Sequence, residues 1–210
     1  ATSFLALPGI AQISHGGVPL TLSRSSDLVA PAGVRLPDLD LAALAAQDAV
    51  NDLDKSIPYR FGYNHITDLS LTNSGTWQTF EDGTRVWRLG IECPGALSIN
   101  FEFSEFNIPN GARVFVINEM GEHIGAFTRE NDHGEHVLGV QPMKGSRITV
   151  EYAVPAGLQN GRLKVGQVTH GYRDIYGYAR GLGTSGACNN NVICTEGDPW
   201  RDQIRSVAMI

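Results

Sequence analysis

Apolar and polar residues alternate strictly through Ser98-Ile99-Asn100-Phe101-Glu102-Phe103-Ser104, which puts Ile99, Phe101 and Phe103 on one face. Alternation with period two marks a half-buried antiparallel strand, with one face on a core and the other in water. Val86-Trp87-Arg88-Leu89-Gly90-Ile91 repeats it through Trp87, Leu89 and Ile91, and Ile148, Val150 and Tyr152 repeat it again. Val114-Phe115-Val116-Ile117 is apolar without a break, which predicts a central strand. Turn signals separate these runs at Asp82-Gly83, Pro94-Gly95, Asn110-Gly111, Met120-Gly121 and Lys144-Gly145. About eight or nine strands between His65 and His170 then make a mainly β domain, an antiparallel β-sandwich or jelly-roll-like fold.

One helix precedes the strands. Pro37 with Asp38 or Asp40 can start it, and Leu41, Leu44, Ala45, Asp48 and Ala49 fall at helical spacing. Pro58 biases Ile57 to extended geometry, so the helix ends before Ser56. Residues 13–36, broken by Gly16-Gly17, Pro19, Pro31 and Gly33, read as an extended arm with a short strand at Val18-Pro19-Leu20-Thr21-Leu22. The first residues, ATSFLALPGIAQ, carry apolar Phe4, Leu5, Ala6, Leu7 and Ile10, with Gly9 and Ala11 spaced as at a signal-peptidase site. They read equally as the tail of an export signal and as an ordinary apolar arm. Beyond Tyr172 the alternation stops, and the glycine-rich stretch from Arg173 to Ser185 reads as an exposed linker. Residues 205–210 look like a first strand without a partner, expected to belong to a longer protein.

Composition narrows the class. The 210 residues are 42% apolar and 18% charged, which fits a globular domain with extra chain and excludes a disordered one. A net charge of -6 argues against a nucleic-acid partner. No stretch approaches the ~20 apolar residues that a membrane helix needs. The three cysteines are Cys93, Cys188 and Cys194, and in an exported protein an odd count means a free thiol or a partner outside the chain. Cys93, inside an apolar strand pattern, reads as a buried small hydrophobe. Cys188 and Cys194, in CNNNVIC, lack zinc-ribbon spacing; they can close a small loop together or each pair elsewhere.

The polar run His123, Glu130, Asp132, His133, Glu135 and His136 has no zinc pattern, and off a helix His133 and His136 do not share a face. A solvated loop and no metal are expected. Gly183-Thr184-Ser185-Gly186-Ala187 falls short of a nucleophile elbow, because Ala187 stands where that motif needs glycine. Trp77 and Trp87 with Tyr59, Phe61 and Tyr63 could build a sugar-binding platform. Trp87, however, shares its face with Leu89 and Ile91 and reads as core, whereas Trp77 reads as freer. No nucleophile with a positioned base can be assembled, so no catalytic residue and no cofactor are assigned.

The segment 183–207, GTSGACNNNVICTEGDPWRDQIRSV, closely resembles the mature N-terminus of bacterial lysyl-endopeptidase-like serine proteases, secreted enzymes of the trypsin-like double β-barrel class. Two spaced cysteines, a Glu-Gly-Asp turn and the run Arg-Asp-x-Ile-Arg-x-Val carry the resemblance. Upstream, Pro58-Tyr59-Arg60-Phe61, Gly75-Thr76-Trp77, residues 82–89, 94–98 and 109–113, and His170-Gly171-Tyr172-Arg173 are similar to the pro-region of such precursors. The likeness spans most of 37–210 and is weakest before Pro37. It implies a signal-peptide remnant and arm at 1–36, and a pro-region at 37–172 with one helix and a sandwich. A processing linker follows at 173–182, and then the truncated start of a double β-barrel protease domain at 183–210.

By the same resemblance Cys188 and Cys194 are disulfide-bonded to cysteines later in the protease domain. The family's catalytic His, Asp and Ser lie downstream and fall on no residue of this chain, which alone is then no enzyme. Cleavage is expected at Arg180-Gly181, an exposed basic site just before the Gly-x-Ser-Gly-x-Cys segment, with Arg173 as the second candidate. The expected function is that of a propeptide, folding assistant and inhibitor. Its partner is the downstream protease domain of the same precursor, and its location is secreted or periplasmic, in a bacterium. The alternative is a secreted β-sandwich module that binds carbohydrate or a cell surface. An exposed row at Trp77, Tyr59 and Tyr63 would favour that alternative, and a packed Trp77 would count against it.

Overall fold

The structure, a computed structural model, describes residues 14–54 and 56–175. Ten strands in this range form two sheets. The four-stranded sheet holds β2 (Gly62–Ser70), β5 (Ser98–Asn107), β8 (Leu138–Lys144) and β10 (Arg162–Gly171) in the order β2-β10-β5-β8, all antiparallel. The six-stranded sheet holds β1 (Ala32–Arg35), β3 (Thr76–Thr79), β4 (Arg85–Glu92), β6 (Arg113–Asn118), β7 (His123–Phe127) and β9 (Arg147–Val154). Its order is β1-β4-β9-β6-β7, with β3 also on β4.

The alternating runs meet between the sheets. Trp87, Leu89 and Ile91 of β4, Val114 and Val116 of β6, and Ile148, Val150 and Tyr152 of β9 share one buried core with residues of the other sheet. Those are Ile99, Phe101 and Phe103 of β5 with Val165 and Val168 of β10. Phe101 meets Phe103 edge to face at 4.9 Å, the arrangement that ring quadrupoles favour. The run 114–117 is buried on both faces, as its unbroken apolarity requires. The loop before β3 closes over two indoles: Trp87 Nε1 donates to the Ser74 carbonyl at 2.8 Å, and Trp77 Nε1 to the Leu71 carbonyl at 3.0 Å. Gly75 makes that closure possible, since its φ is +70° and a Cβ there would lie 2.5 Å from Trp87 Nε1.

Three expectations need correction. The sandwich is not wholly antiparallel, because β1 runs parallel to β4, with Ala32 opposite Leu89 and Arg35 opposite Glu92. β3 takes the other half of the same β4 edge, Thr76 opposite Arg88 through Thr79 opposite Arg85. A parallel neighbour needs a long crossover, and the chain from β1 to β4, with its helix and two strands, supplies one. Second, the outer face of the six-stranded sheet is not open to water. Phe115, Ile117 and Ala126 form a separate buried cluster on it, and Arg88 and Glu151, opposite each other across β4 and β9, are buried as well.

The N-terminal arm covers this face. His15 N donates to the Ala126 carbonyl at 2.9 Å, Ala126 N donates to the Gly16 carbonyl at 3.2 Å, and Gly17 lies against Arg113 and Phe115. The third correction follows from the same contact. Residues 18–22 are no strand but lead into a one-turn helix, α1 (Leu20–Ser23). The fully buried Glu151 carboxylate accepts from the Leu20 and Thr21 amides at 2.7 and 2.6 Å, so the turn starts where two N–H groups must converge. Arg88 Nη2 donates to the Val29 carbonyl further along the arm. The expected helix is α2 (Leu41–Asn51), where the Asp40 side chain accepts from Ala43 N at 3.0 Å as an N-cap.

Glu151→Ala leaves two arm amides without their acceptor, which costs about 1–3 kcal/mol where the donors stay buried. Hydrogen exchange should then accelerate at Leu20, Thr21 and His15 while amides of β5 and β10 keep their protection. Unchanged exchange in the arm would show that Glu151 does not hold it.

Candidate functional site

The helix α2 meets the rest of the domain through a charge. Its buried residues are Leu44 and Asp48, four apart on one face, and Asp48 is 1% exposed. A carboxylate this deep must be met by donors, because an unpaired buried charge is too costly to keep. Three side chains supply them. Arg60 reaches Asp48 Oδ1 through Nε at 2.8 Å and Nη2 at 2.7 Å, the Tyr172 hydroxyl donates to Oδ2 at 2.8 Å, and Arg173 Nε lies 3.2 Å from Oδ2. Arg60 Nη2 also donates to Gln47 Oε1 at 3.2 Å, so one guanidinium spans two residues of the helix.

Arg173 is held more fully still. Its Nη1 and Nη2 donate to Asp52 Oδ1 and Oδ2 at 3.2 and 2.8 Å, a fork-on-fork pair, and its guanidinium carbon stands 4.5 Å from the centre of the Tyr59 ring. The backbone adds to this. The amides of Tyr172 and Arg173 both donate to the Phe61 carbonyl, at 3.1 and 3.0 Å, which ties the chain leaving β10 to the chain entering β2. Gly62 permits the approach, since a Cβ there would lie 2.9 Å from the His170 carbonyl. The electrostatics follow the geometry. Burial pushes the Asp48 carboxyl up, but Tyr172, Arg60 and Arg173 together outweigh it and hold it below the usual carboxylate range. The Tyr172 hydroxyl is pushed up by burial and by Asp48, and Arg173 is raised chiefly by its bond to Asp52.

Beside this hub two histidines lie close together on the four-stranded sheet. His170 is fully buried and neither of its ring nitrogens finds a partner among the described residues, nor does Nε2 of His65; the ring centres are 6.2 Å apart. Tyr63 meets the His65 ring edge to face at 5.1 Å. Burial lowers both imidazoles, and His65 lowers His170 further while Asp38 acts against this. A shallow cavity of about 360 Å³ adjoins the hub, lined by Tyr59, Arg60, Asn64, Asn100, Gln167 and Thr169 among others. In it the Thr169 hydroxyl donates to Asn64 Oδ1 at 2.8 Å, and Asn100 Oδ1 is buried without a partner among the described residues.

Of the residues singled out in the sequence, Arg180, Gly181, Cys188 and Cys194 lie outside the described residues, as does the whole segment 183–207. Arg173 sits in the hub. Cys93 is a free thiol, fully buried, and burial, with a smaller push from Glu92, raises it to about 12. In the polar loop His136 Nδ1 lies 2.7 Å from Asp132 Oδ2, and His123 Nε2 lies 3.3 Å from the Gly17 carbonyl. Among the described residues no group of three or more His, Cys, Asp or Glu is placed to hold a metal. Trp77 is not the free aromatic expected from the sequence: it packs against the core, 6.2 Å from the Tyr152 ring, with its indole bonded to Leu71. Tyr59 and Tyr63, 62% and 43% exposed, therefore stand without it, and no row of three forms.

Asp48, Asp52, Arg60 and Tyr172 as a group were missed in the sequence. A signal existed, since Asp48 stands in the apolar stripe of a helix, where a charge demands a buried partner. No protein-family model matches this chain, and no solved structure matches it significantly.

Asp48→Asn should destabilise the domain by about 3 kcal/mol at neutral pH, because Arg60 and Arg173 lose their shared anion. The Asp48 contribution is complete above the ordinary value of 3.8 and fades as pH falls through the lower folded value. In denaturant titrations the gap between wild type and variant should therefore close below that pH. The histidines act in the same sense at higher pH. Their folded values lie below the ordinary 6.5, so the unfolded chain binds more protons and stability declines as pH falls below 6.5. His170→Leu should flatten that decline, and an unchanged slope would assign it to other groups.

Proposed function

We propose that residues 14–174 are the pro-region of a secreted, trypsin-like serine endopeptidase precursor, which assists folding of the protease and keeps it inactive until cleavage. The observation that carries this is the order along the chain. A compact β unit ends at Asp174, its last residues held by the Asp48 hub, and a glycine-rich stretch with Arg180-Gly181 follows before the segment that resembles a mature protease N-terminus. In this reading Arg180-Gly181 is the processing bond, and Cys188 and Cys194 pair with cysteines of the protease domain. Residues 205–210 open the first strand of its double barrel, the two-sheet unit is a jelly-roll variant, and the precursor is exported from a bacterium. Catalysis belongs to that following domain, and residues 14–174 act by binding it.

The physics favours a tethered assistant. An all-β double barrel is dominated by non-local contacts and folds slowly. A partner on the same chain acts at an effective concentration near millimolar, so it can guide folding with modest intrinsic affinity and then be released by one cut. A second reading, a module that binds neutral polysaccharide, is favoured by one feature only. That is the exposed Tyr59 ring beside the amide-lined cavity of Asn64, Asn100 and Gln167.

Expression of the precursor with and without residues 14–174 separates the two. The pro-region reading expects omission to lower the yield of active protease at least about tenfold, with recovery when the domain is supplied separately at high concentration. Equal yields would overturn the folding role. Retention of the domain on insoluble polysaccharide, abolished by Tyr59→Ala, would turn the assignment to the binding module.

A further inference from the structure

The chain shows an arginine-directed protease two arginines within a short stretch, Arg173 and Arg180. The folded domain holds Arg173. Its side chain is 20% exposed, and all three guanidinium nitrogens are engaged: Nε with Asp48, Nη1 and Nη2 with Asp52. Its flat face is covered by Tyr59, and its own amide is bonded to Phe61. A trypsin-like enzyme must take the arginine side chain into an acidic pocket and the flanking backbone into its cleft. Asp48 and Asp52 already fill the role of that pocket, from inside the substrate.

We infer that Arg173-Asp174 is a second, latent processing site for an arginine-directed serine protease, closed while the Asp48 hub is assembled and opened by local release of α2. Hydrolysis there adds water across the peptide bond, leaving a carboxylate on Arg173 and an amine on Asp174. The cut needs Arg173 to leave two carboxylates, an aromatic face and two backbone bonds shared with Tyr172 at Phe61. Cleavage then tracks the population of the opened state rather than the exposure of a loop. This rests on the processing reading above and sets an order for it: the linker is cut first, and Arg173 yields only when the domain has loosened. A pro-region that is folded resists removal beyond its linker, and one that has come undone is marked for a second cut.

Limited proteolysis of the full chain with added trypsin tests this, and it needs no parent protease, so it stands or falls apart from the pro-region assignment. The bond cut is identified by mass spectrometry, and a synthetic peptide of residues 168–180 gives the intrinsic rate of an Arg-Asp bond. Wild type should be cut after Arg173 at least about 100-fold more slowly than the peptide, as expected for a bond open only transiently. Asp48→Asn should raise that rate about tenfold or more, and Asp52→Asn, at the half-exposed end of the fork, should raise it several-fold. Wild type cut at the peptide rate overturns the inference. So do folded variants, checked by circular dichroism, that are cut no faster than wild type. Should Asp48→Asn fail to fold, Asp52→Asn against wild type decides alone.

Discussion

A carboxylate removed from water must be answered by donors in the right place, and in this domain that demand decides where the chain outside the sheets goes. Glu151 projects from β9 onto the outer face of the six-stranded sheet and is met by two amides of the arm. Asp48 projects from α2 and is met by one side chain before β2 and two after β10. The sheets form around an apolar core that many sequences could fill. The arm, the helix and the exit of the chain are each bonded to one of these two anions.

Both anions are paired without forming isolated ion pairs. Glu151 takes backbone N–H groups, while its cross-strand neighbour Arg88 gives its bond to a carbonyl of the same arm, so two buried charges stitch one segment at two points. Asp48 takes two guanidiniums and a phenol, and Asp52 shares one of the guanidiniums. Removing one partner from such a set leaves the others buried and unanswered, which is why networks of this kind respond to single substitutions more than exposed pairs do. For the proposed pro-region, the consequence is that Tyr172 and Arg173 are anchored ahead of the candidate processing site at Arg180-Gly181.

The strands were legible because one face of each is apolar with period two, and burial between the sheets reads that pattern directly. Ile99, Phe101 and Phe103, or Trp87, Leu89 and Ile91, could be placed from local sequence alone. The helix at Leu41–Asn51 was legible from its cap and spacing. The outer face of the six-stranded sheet was not, because Glu151 at a polar position of an alternating strand looks the same whether water or an arm covers it. The parallel β1 was hidden for a related reason: four residues with Gly33 among them show no period, and only the free half-edge of β4 gives them a place. Trp77 was misjudged because the carbonyl that satisfies its indole belongs to a turn, not to a neighbour in its strand. The charge of Asp48 within its apolar stripe was legible, but its partners Arg60, Tyr172 and Arg173 lie 12 to 125 positions along the chain and share no local pattern with it.

The arm that closes over the six-stranded sheet is joined to partners far along the chain: Leu20 is bonded to Glu151, a separation of 131 residues, and Ser14 to Gly125, a separation of 111. During synthesis the arm leaves the ribosome long before the strand that will hold it exists. At ordinary elongation rates the wait is on the order of ten seconds. Throughout it the arm has no fold of its own to adopt, since a single helical turn does not persist alone in water. The arm is therefore made well before β9 and fixed only after it.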